Sequence, residues 1–302
     1  MSNEKKPLVG VLSIQGAFEE HQACLEASGC RTKQIRTVAD MTEGGEALDG
    51  MVLPGGESTA MGLIGTATKE SGGKSVWDAL RDFIEVDKKP TWGTCAGMIL
   101  LAERCVGASA VIQDGQALIG GMDILVCRNY FGSQVSSFEM ATPPPPTSGG
   151  EDGGMASPYP GVFIRAPAIL SAGQEVTVLG KVVATPCRQA AVVLEELERK
   201  IEKGETVVQM GVVDALERDG SQLRHREVVK ASPCETGEEK KELEQDASIE
   251  LPGAADGSNA REVICAVRKS NLLCTAFHPE LTNDHRWHQY FAQMVKESVA
   301  SA

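Results

Sequence analysis

The sequence lacks the features of several common protein classes. No apolar run approaches the roughly 20 residues that span a membrane, and the first run, residues 8–14, is too short for a signal peptide. Basic residues are also few, since 29 Lys and Arg stand against 42 Asp and Glu, for a net charge of −13. Such an acidic chain suits neither the phosphates of nucleic acids nor anionic lipid. We therefore expect no nucleic acid and no membrane among its partners.

The cysteines lack any paired spacing. There are nine of them, an odd number, and no C-x-x-C motif occurs. Without a signal peptide, this favours free thiols in a reducing, cytoplasmic compartment. The cysteines and five histidines also lack the spacing of metal ligands, so we expect neither a metal nor a cofactor.

Short apolar segments alternate with helix-like segments in the first half of the chain. Strands are predicted at residues 8–14, 49–53 and 90–94, and helices at 17–27, about 75–86 and 96–104. The C-terminal part predicts an antiparallel hairpin of 263–267 with 272–277 and a last helix at 284–299. The alternation predicts an α/β fold with a mostly parallel sheet, whose sites lie at the carboxyl ends of its strands.

Three stretches interrupt this pattern and predict insertions in one domain that spans 1–302. Residues 142–160 are rich in Pro and Gly and predict a loop. Residues 187–262 hold 18 acidic and 11 basic residues, a net −7 of the total −13. Within them 190–203 favours an amphipathic helix, whereas 232–260 has the composition of a disordered segment. A smaller segment rich in Gly, Ser and Thr, residues 65–74, is the third predicted insertion.

The segment Gly93-Thr94-Cys95-Ala96-Gly97 is G-x-C-x-G between a predicted strand and a predicted helix. This pattern is typical of a nucleophile elbow, in which small neighbours relieve a strained turn. The following helix would favour the thiolate, and the Ala96 N–H could stabilise an oxyanion. The alternative is a tight turn with a buried core cysteine.

The segment His278-Pro279-Glu280 could supply a base and its orienting carboxylate. Residues two apart on an extended segment point to the same side, so Glu280 could hold the ring of His278. A purely structural histidine is the alternative. Of the other histidines, His21 is predicted to be structural, and His285 and His288 to be solvated or packed.

Two further groups complete the candidate site. In Leu53-Pro54-Gly55-Gly56-Glu57-Ser58-Thr59, the glycines allow close backbone approach, and the Gly56 N–H could be a second oxyanion donor. An ordinary loop with Ser58 as a helix cap is the alternative, and the spacing of a phosphate-binding P-loop is lacking. Arg128 and Arg165 each follow a strand-like segment, where they could bind a carboxylate or form surface ion pairs.

Taken together, these segments resemble the glutaminase subunit of pyridoxal 5'-phosphate synthase, the PdxT/SNO family of class I glutamine amidotransferases. The matching stretches are VGVLSIQGAFEEH (9–21), LPGGEST (53–59), GTCAGMILLA (93–102), RNYFGSQVSSFE (128–139), GVFIRAP (161–167) and FHPELTNDHRWHQYF (277–291). The first, fourth and fifth of these point to this subfamily rather than to the wider class.

The resemblance implies a flavodoxin-like three-layer sandwich that hydrolyses L-glutamine to glutamate and ammonia. Cys95 would be the nucleophile, His278 the general base and acid, and Glu280 its orienting group. Gly56 and Ala96 would form the oxyanion hole. The implied glutamine-binding residues are Gly55, Gly56, Glu57, Arg128, Ile164 and Arg165. The implied partner is a (β/α)₈ pyridoxal 5'-phosphate synthase subunit that receives the ammonia.

Two alternatives remain open at this point. The chain could be a catalytically silent subunit that only docks the synthase. It could also be another class I amidotransferase or a γ-glutamyl hydrolase. An activity that requires no partner would favour the hydrolase.

Overall fold

The computed structural model describes residues 5–42, 46–67, 73–107, 117–132, 137–146, 157–203, 210–211, 251–252 and 259–301. Its strands are β1 Leu8–Leu12, β2 Arg31–Ile35, β3 Gly50–Leu53, β4 Thr91–Thr94, β5 Ala102–Val106, β6 Met122–Cys127, β7 Phe138–Thr142, β8 Tyr159–Phe163, β9 Ala168–Ala172, β10 Thr177–Ala184, β11 Met210–Gly211, β12 Arg261–Lys269 and β13 Leu272–Thr275. Its helices are α1 Phe18–Ala27, α2 Val38–Thr42, α3 Ser58–Ala67, α4 Val76–Glu85, α5 Ala96–Leu101, α6 Arg188–Glu202 and α7 Arg286–Ala300. A short 3-10 turn spans Pro279–Leu281.

The central sheet has a parallel half and a mixed half. In the order β2-β1-β3-β4-β13 every neighbouring pair is parallel. Beyond β13 the sheet continues through β12, β9, β6, β5 and β11 in mainly antiparallel pairings, and β10 joins β12. The predicted α/β class is confirmed. The parallel half carries the strands that lead into the glycine-rich loop, Cys95 and His278, whereas Arg128 follows β6 of the mixed half and Ile164 follows β8, which pairs with β7 in a separate two-stranded sheet.

Helices cover both faces of this sheet. The chain moves from β1 through α1 to β2 on one side, and from β3 through α3 and α4 to β4 on the other. Because such crossovers are right-handed, α1 and α3 lie on opposite faces. Accordingly α1 packs with α7, whereas α3 packs with α4 and α5. The strand order reverses between β1 and β3, which is where ligands bind in open α/β sheets.

Local sequence signals explain several helix boundaries. Ser75 caps α4 in a reciprocal capping box with Asp78. The fully buried Trp77 of α4 joins the single core that fills both faces. In α6 the apolar face formed by Ala190, Leu194 and Leu197 is buried, and the predicted amphipathic helix is confirmed.

Two predicted helices and one predicted loop begin or end at other residues in the structure. The helix predicted at 96–104 ends at Leu101, because Ala102 turns extended and pairs with Met122 in the sheet. The loop predicted at 142–160 is shorter, since Thr142 pairs with Tyr159 across β7 and β8. The last helix begins at Arg286 rather than 284.

The predicted insertions are only partly described. The 187–262 segment contains α6 at its start and the first residues of β12 at its end. Most of 232–260, and 68–72 within the 65–74 patch, lie outside the described residues. In the part of the chain that is described, no helix is long and apolar enough to cross a membrane.

Candidate active site

Cys95 occupies the sharp turn between β4 and α5. Its backbone has φ 47° and ψ −101°, a conformation that a non-glycine residue holds only where its surroundings impose it. The Cys95 N–H donates to the carbonyl of Thr275 at 2.9 Å, which fixes the turn against β13. Since α5 begins at the next residue, the thiol lies at the positive end of that helix. The turn has the strained backbone that the sequence predicts for a nucleophile elbow.

The two small residues that flank the turn are sterically required. A Cβ on Gly97 would lie 1.9 Å from the carbonyl oxygen of Leu53, and one on Gly93 would lie 2.5 Å from the Gly97 backbone. Neither backbone neighbour can move without disrupting the sheet. The G-x-C-x-G spacing therefore follows from the packing of α5 directly against β3 and β4.

His278 approaches Cys95 from the segment that follows β13. Its backbone N–H donates to the carbonyl of Val162 at 2.8 Å. Burial alone would lower the pKa of His278, but the charge of Cys95, its hydrogen bond to the ring, and Glu280 raise that pKa well above its usual range. The site therefore favours an imidazolium beside the sulfur.

Glu280 holds the ring of His278. Its Oε1 lies 2.7 Å from Nδ1 of His278, and both side chains are buried. Burial alone would raise the pKa of Glu280, but the charges and hydrogen bonds of His21 and His278 hold it well below its usual range. The carboxylate thus stays ionised. The predicted extended geometry was wrong, because Glu280 lies in the 3-10 turn, and that turn brings its carboxylate back to the ring.

His21, which the sequence predicts to be structural, is a second histidine on the same carboxylate. Its Nε2 lies 3.3 Å from Oε2 of Glu280 and 3.1 Å from Oγ1 of Thr94. Its Nδ1 lies 3.0 Å from Nε2 of His288. One signal was available, since His21 closes the matched stretch at 9–21. The prediction of a structural histidine therefore missed a direct contact with Glu280.

The glycine-rich loop after β3 is held by the loop after β1. The Gln15 side-chain oxygen accepts the Glu57 N–H at 2.6 Å, and Ala17 N–H donates to the Gly55 carbonyl at 3.3 Å. Gly55 also lies against the ring of His278, because a Cβ there would lie 2.3 Å from Cε1 of His278. Any side chain at Gly55 would displace the ring.

Glu57 caps α3, in place of the Ser58 cap that was considered. Its carboxylate accepts the N–H groups of Thr59 at 3.1 Å and Ala60 at 2.7 Å. Burial would raise the pKa of Glu57, but these two backbone hydrogen bonds outweigh it and lower the pKa. The negative charge is thereby kept at the wall of the site.

Arg128 is buried rather than paired on the surface. Its Nη2 donates to Oγ1 of Thr59 at 3.0 Å and lies 3.9 Å from Oε1 of Glu57. Its Nε is also buried, and it has no hydrogen-bond partner among the described residues. Unpaired buried donors are rare in folded proteins. This nitrogen is therefore suited to a ligand carboxylate.

The segment Ile164–Arg165 closes the other side of the site. The Ile164 carbonyl lies 3.9 Å from Sγ of Cys95. Arg165 has a positive φ of 47°, which is strained for a non-glycine residue. Such strain often occurs at sites that bind ligands.

A cavity of about 270 Å³ joins these groups. Its lining comprises Gly16, Ala17, Gly55, Gly56, Glu57, Ser58, Cys95, Ala96, Ile99, Arg128, Asn129, Ile164, Arg165, His278 and Leu281. Every predicted site residue lines it except Glu280, which lies behind His278. A cavity at the small end of ligand sites suits a molecule the size of one amino acid.

The sequence also matches a known protein family. The model of the SNO glutamine amidotransferase family matches residues 11–196. The chain belongs to that family. The matched span holds the thiol turn, the glycine loop and Arg128, whereas His278 and Glu280 lie beyond it.

Individual relatives are similar to nearly the whole chain, including the C-terminal part that the family model does not match. The chain is 36% identical to a probable pyridoxal 5'-phosphate synthase subunit PDX2 of Arabidopsis thaliana, over 96% of this chain and 86% of the relative. It is 33% identical to a pyridoxal 5'-phosphate synthase subunit PdxT of Kineococcus radiotolerans, over 97% of each. A solved structure described as a glutamine amidotransferase is 25% identical, with a TM-score of 0.56, over 95% of this chain and 98% of that one.

Proposed function

We propose that this chain hydrolyses L-glutamine to L-glutamate and ammonia and delivers the ammonia to a pyridoxal 5'-phosphate synthase subunit. The observation that carries the proposal is the arrangement of Cys95, His278 and Glu280 at one small cavity of a glutamine amidotransferase fold. The names of the PDX2 and PdxT relatives support the role in vitamin B6 synthesis.

In the first half-reaction the Cys95 thiolate attacks the side-chain amide carbon of glutamine. A C–S bond forms, and the carbonyl oxygen becomes an oxyanion. As this intermediate collapses, the C–N bond breaks and the protonated His278 gives its proton to the leaving nitrogen. Ammonia departs, and a glutamyl thioester remains on Cys95. The raised pKa of His278 suits this step, because the ring holds the proton that the leaving group needs.

In the second half-reaction His278 removes a proton from water as the water attacks the thioester carbonyl. The C–S bond then breaks, glutamate leaves, and the thiolate returns beside a protonated His278. Glu280 keeps Nδ1 of the ring occupied, so that Nε2 faces the reacting atoms. Its charge also stabilises the imidazolium in both half-reactions.

The oxyanion is assigned to the backbone N–H groups of Gly56 and Ala96. Ala96 is the first residue of α5, where N–H groups lack partners within the helix. Gly56 belongs to the loop that Gln15 fixes through Glu57. Two preorganised donors of this kind supply much of the rate enhancement in acyl transfer.

The free amino acid end of glutamine is assigned to the opposite wall. Arg128 would bind the α-carboxylate through its unpaired Nε, and Glu57 would attract the α-ammonium. Gly55, Ile164 and Arg165 would shape the channel for the side chain. A substrate that lacked either charged group would leave its buried partner unpaired.

The partner is assigned as a (β/α)₈ synthase subunit, and the compartment as the cytoplasm. Hydrolysis that is coupled to a second site protects ammonia from protonation in bulk water. All eight described cysteines are free thiols, as reducing conditions would keep them, and Cys234 lies outside the described residues.

The proposal is tested by measuring glutamate release with and without a synthase subunit. We expect release that rises when the synthase is added, and that is absent in Cys95→Ala, which should still bind the synthase. No release with a competent synthase would leave only the silent docking role. Full release without any synthase would favour the γ-glutamyl hydrolase alternative.

A further inference from the structure

Three side chains with metal-binding atoms meet behind Glu280. Cys24 lies on α1, His285 precedes α7, and His288 lies in the first turn of α7. One ligand atom of each lies within 4.8 Å of the others. Cys24 and His288 are buried, and His285 is half-buried. They form the one such group found among the described residues.

Two ring nitrogens of this group have no hydrogen-bond partner among the described residues. Nδ1 of His285 and Nδ1 of His288 are both buried, and neither has a hydrogen-bond partner in the described structure. His288 is completely buried. The Cys24 thiol makes only a weak contact, 4.0 Å from the Glu280 carbonyl. Two unpaired buried nitrogens beside a thiol are costly unless a ligand binds them.

The contacts of His288 show which of its ring nitrogens is free. Nε2 of His288 lies 3.0 Å from Nδ1 of His21. The other ring nitrogen, Nδ1, is the one without a hydrogen-bond partner among the described residues. Histidines that bind metals are oriented in this way, with the other ring N–H held by a second group.

We propose that Cys24, His285 and His288 bind a divalent transition metal ion, with Zn²⁺ as the best fit to one thiolate and two imidazoles. Tetrahedral Zn²⁺ places such atoms about 3.3–3.6 Å apart, so the three side chains close by about an ångström on binding. The fourth position is filled by water from an open groove of about 740 Å³ that is lined in part by His285 and Gln289.

The ion would join α1 to α7 directly beneath the triad carboxylate. His21 and Cys24 lie one turn apart on α1, so the metal would fix the helix that holds His21 against Glu280. The site therefore stabilises the support of Glu280 and takes no part in the attack on substrate. No sequence spacing revealed it, because its ligands come from the two ends of the chain.

Metal binding is tested in a Cys95→Ala background, since the Cys95 and His278 pair could itself bind metal. The probe is Co²⁺, whose bond to a thiolate gives charge-transfer absorption, with Zn²⁺ as competitor. We expect one Co²⁺ per chain, displaced by Zn²⁺. Cys24→Ser and His285→Asn, each added to this background, should weaken binding at least about tenfold. Cys30→Ser, which removes another buried free thiol, should leave binding unchanged.

Stability supplies an independent readout. Zn²⁺ at a hundredfold excess over its dissociation constant should raise Tm by roughly 5 °C in the parent and not in the Cys24→Ser or His285→Asn proteins. His285→Asn keeps the test valid if Cys24→Ser does not fold, because His285 is the most exposed ligand. Absence of thiolate absorption in the parent, or an unchanged affinity for Co²⁺ in His285→Asn, would overturn the proposal.

Discussion

The carboxylate of Glu280 lies 3.3 Å from Nε2 of His21 on its far side, while its near side holds His278. One buried charge thus joins two histidines, and His21 supports the ring of His278 through it. His21 does not line the cavity, so its effect on the reaction would pass through Glu280.

His21→Ala should therefore lower kcat and leave KM nearly unchanged. Loss of a hydrogen bond to a buried charge costs about 1.5–3 kcal/mol, which corresponds to a roughly 10–150-fold change if it is expressed in the barrier. His21→Gln should recover part of the rate, because its amide can donate from the position of Nε2. Equal rates in the two variants would show that His21 only fills space.

The acid limb of the pH–rate profile should also move in His21→Ala. His21 lowers the pKa of Glu280, so its removal raises that pKa. Protonation of Glu280 would then begin at higher pH, and the rise of kcat/KM would shift to higher pH. A profile that keeps its shape while the rate falls would contradict this coupling.

His278 provides a pH test that involves no turnover. Its folded pKa lies above the ordinary 6.5, so the stability that its proton contributes is complete below 6.5 and is lost as pH rises through the raised folded value. Cys95→Ala removes one cause of that shift. We expect NMR titration to give His278 a lower pKa in the variant, and the alkaline loss of Tm to be smaller and to end at lower pH. An unchanged pKa would mean that Cys95 does not interact with the ring.

A glutamine-mimicking electrophile should modify Cys95 before the other thiols. Burial raises the pKa of Cys105, Cys127 and Cys265 to about 12 each, which leaves them protonated at neutral pH. Peptide mapping after partial reaction would measure the selectivity. Half-exposed Cys187 is the internal control, because it should react with a general alkylating agent and not with the glutamine mimic.

Gly55→Ala should nearly abolish hydrolysis while the chain still folds. The new Cβ would lie 2.3 Å from Cε1 of His278, so the ring must move away from Cys95. A displacement of about 1 Å can cost a hundredfold in rate. Gly180→Ala is the control, since its nearest contact would be 3.3 Å, far from the site. Equal activity in both variants would remove Gly55 from the site.

Arg128→Gln should raise KM for glutamine by roughly 10–150-fold, because a hydrogen bond between charged groups contributes about 1.5–3 kcal/mol. Arg104 offers a matched control. It is buried to a similar degree, and its Nε also has no hydrogen-bond partner among the described residues. It pairs with Asp123 and does not line the cavity. Arg104→Gln should reduce Tm and leave KM unchanged. Equal KM values for the two variants would exclude Arg128 from substrate binding.

Short-range patterns predicted the elements that surround the site. Apolar runs and turn residues were sufficient for β3, β4 and α4, and the small residues around Cys95 predicted its strained turn. The end of α5 was not predictable in this way, because Ala102 becomes extended only through pairing with Met122. Glu280 met His278 as predicted, but through a 3-10 turn that neither residue specifies.

The sequence by itself determined the strained turn at Cys95, the contact between His278 and Glu280 and the α/β class, because each depends on residues close together in the chain. The tertiary structure decided the contacts among distant segments. Packing of α1 against the 3-10 turn and α7 brought His21 to Glu280 and Cys24 to His288. Contacts with Thr59 and Glu57 buried Arg128, and its Nε has no hydrogen-bond partner among the described residues. Such contacts depend on the relative placement of whole helices and strands, which no local pattern of residues encodes.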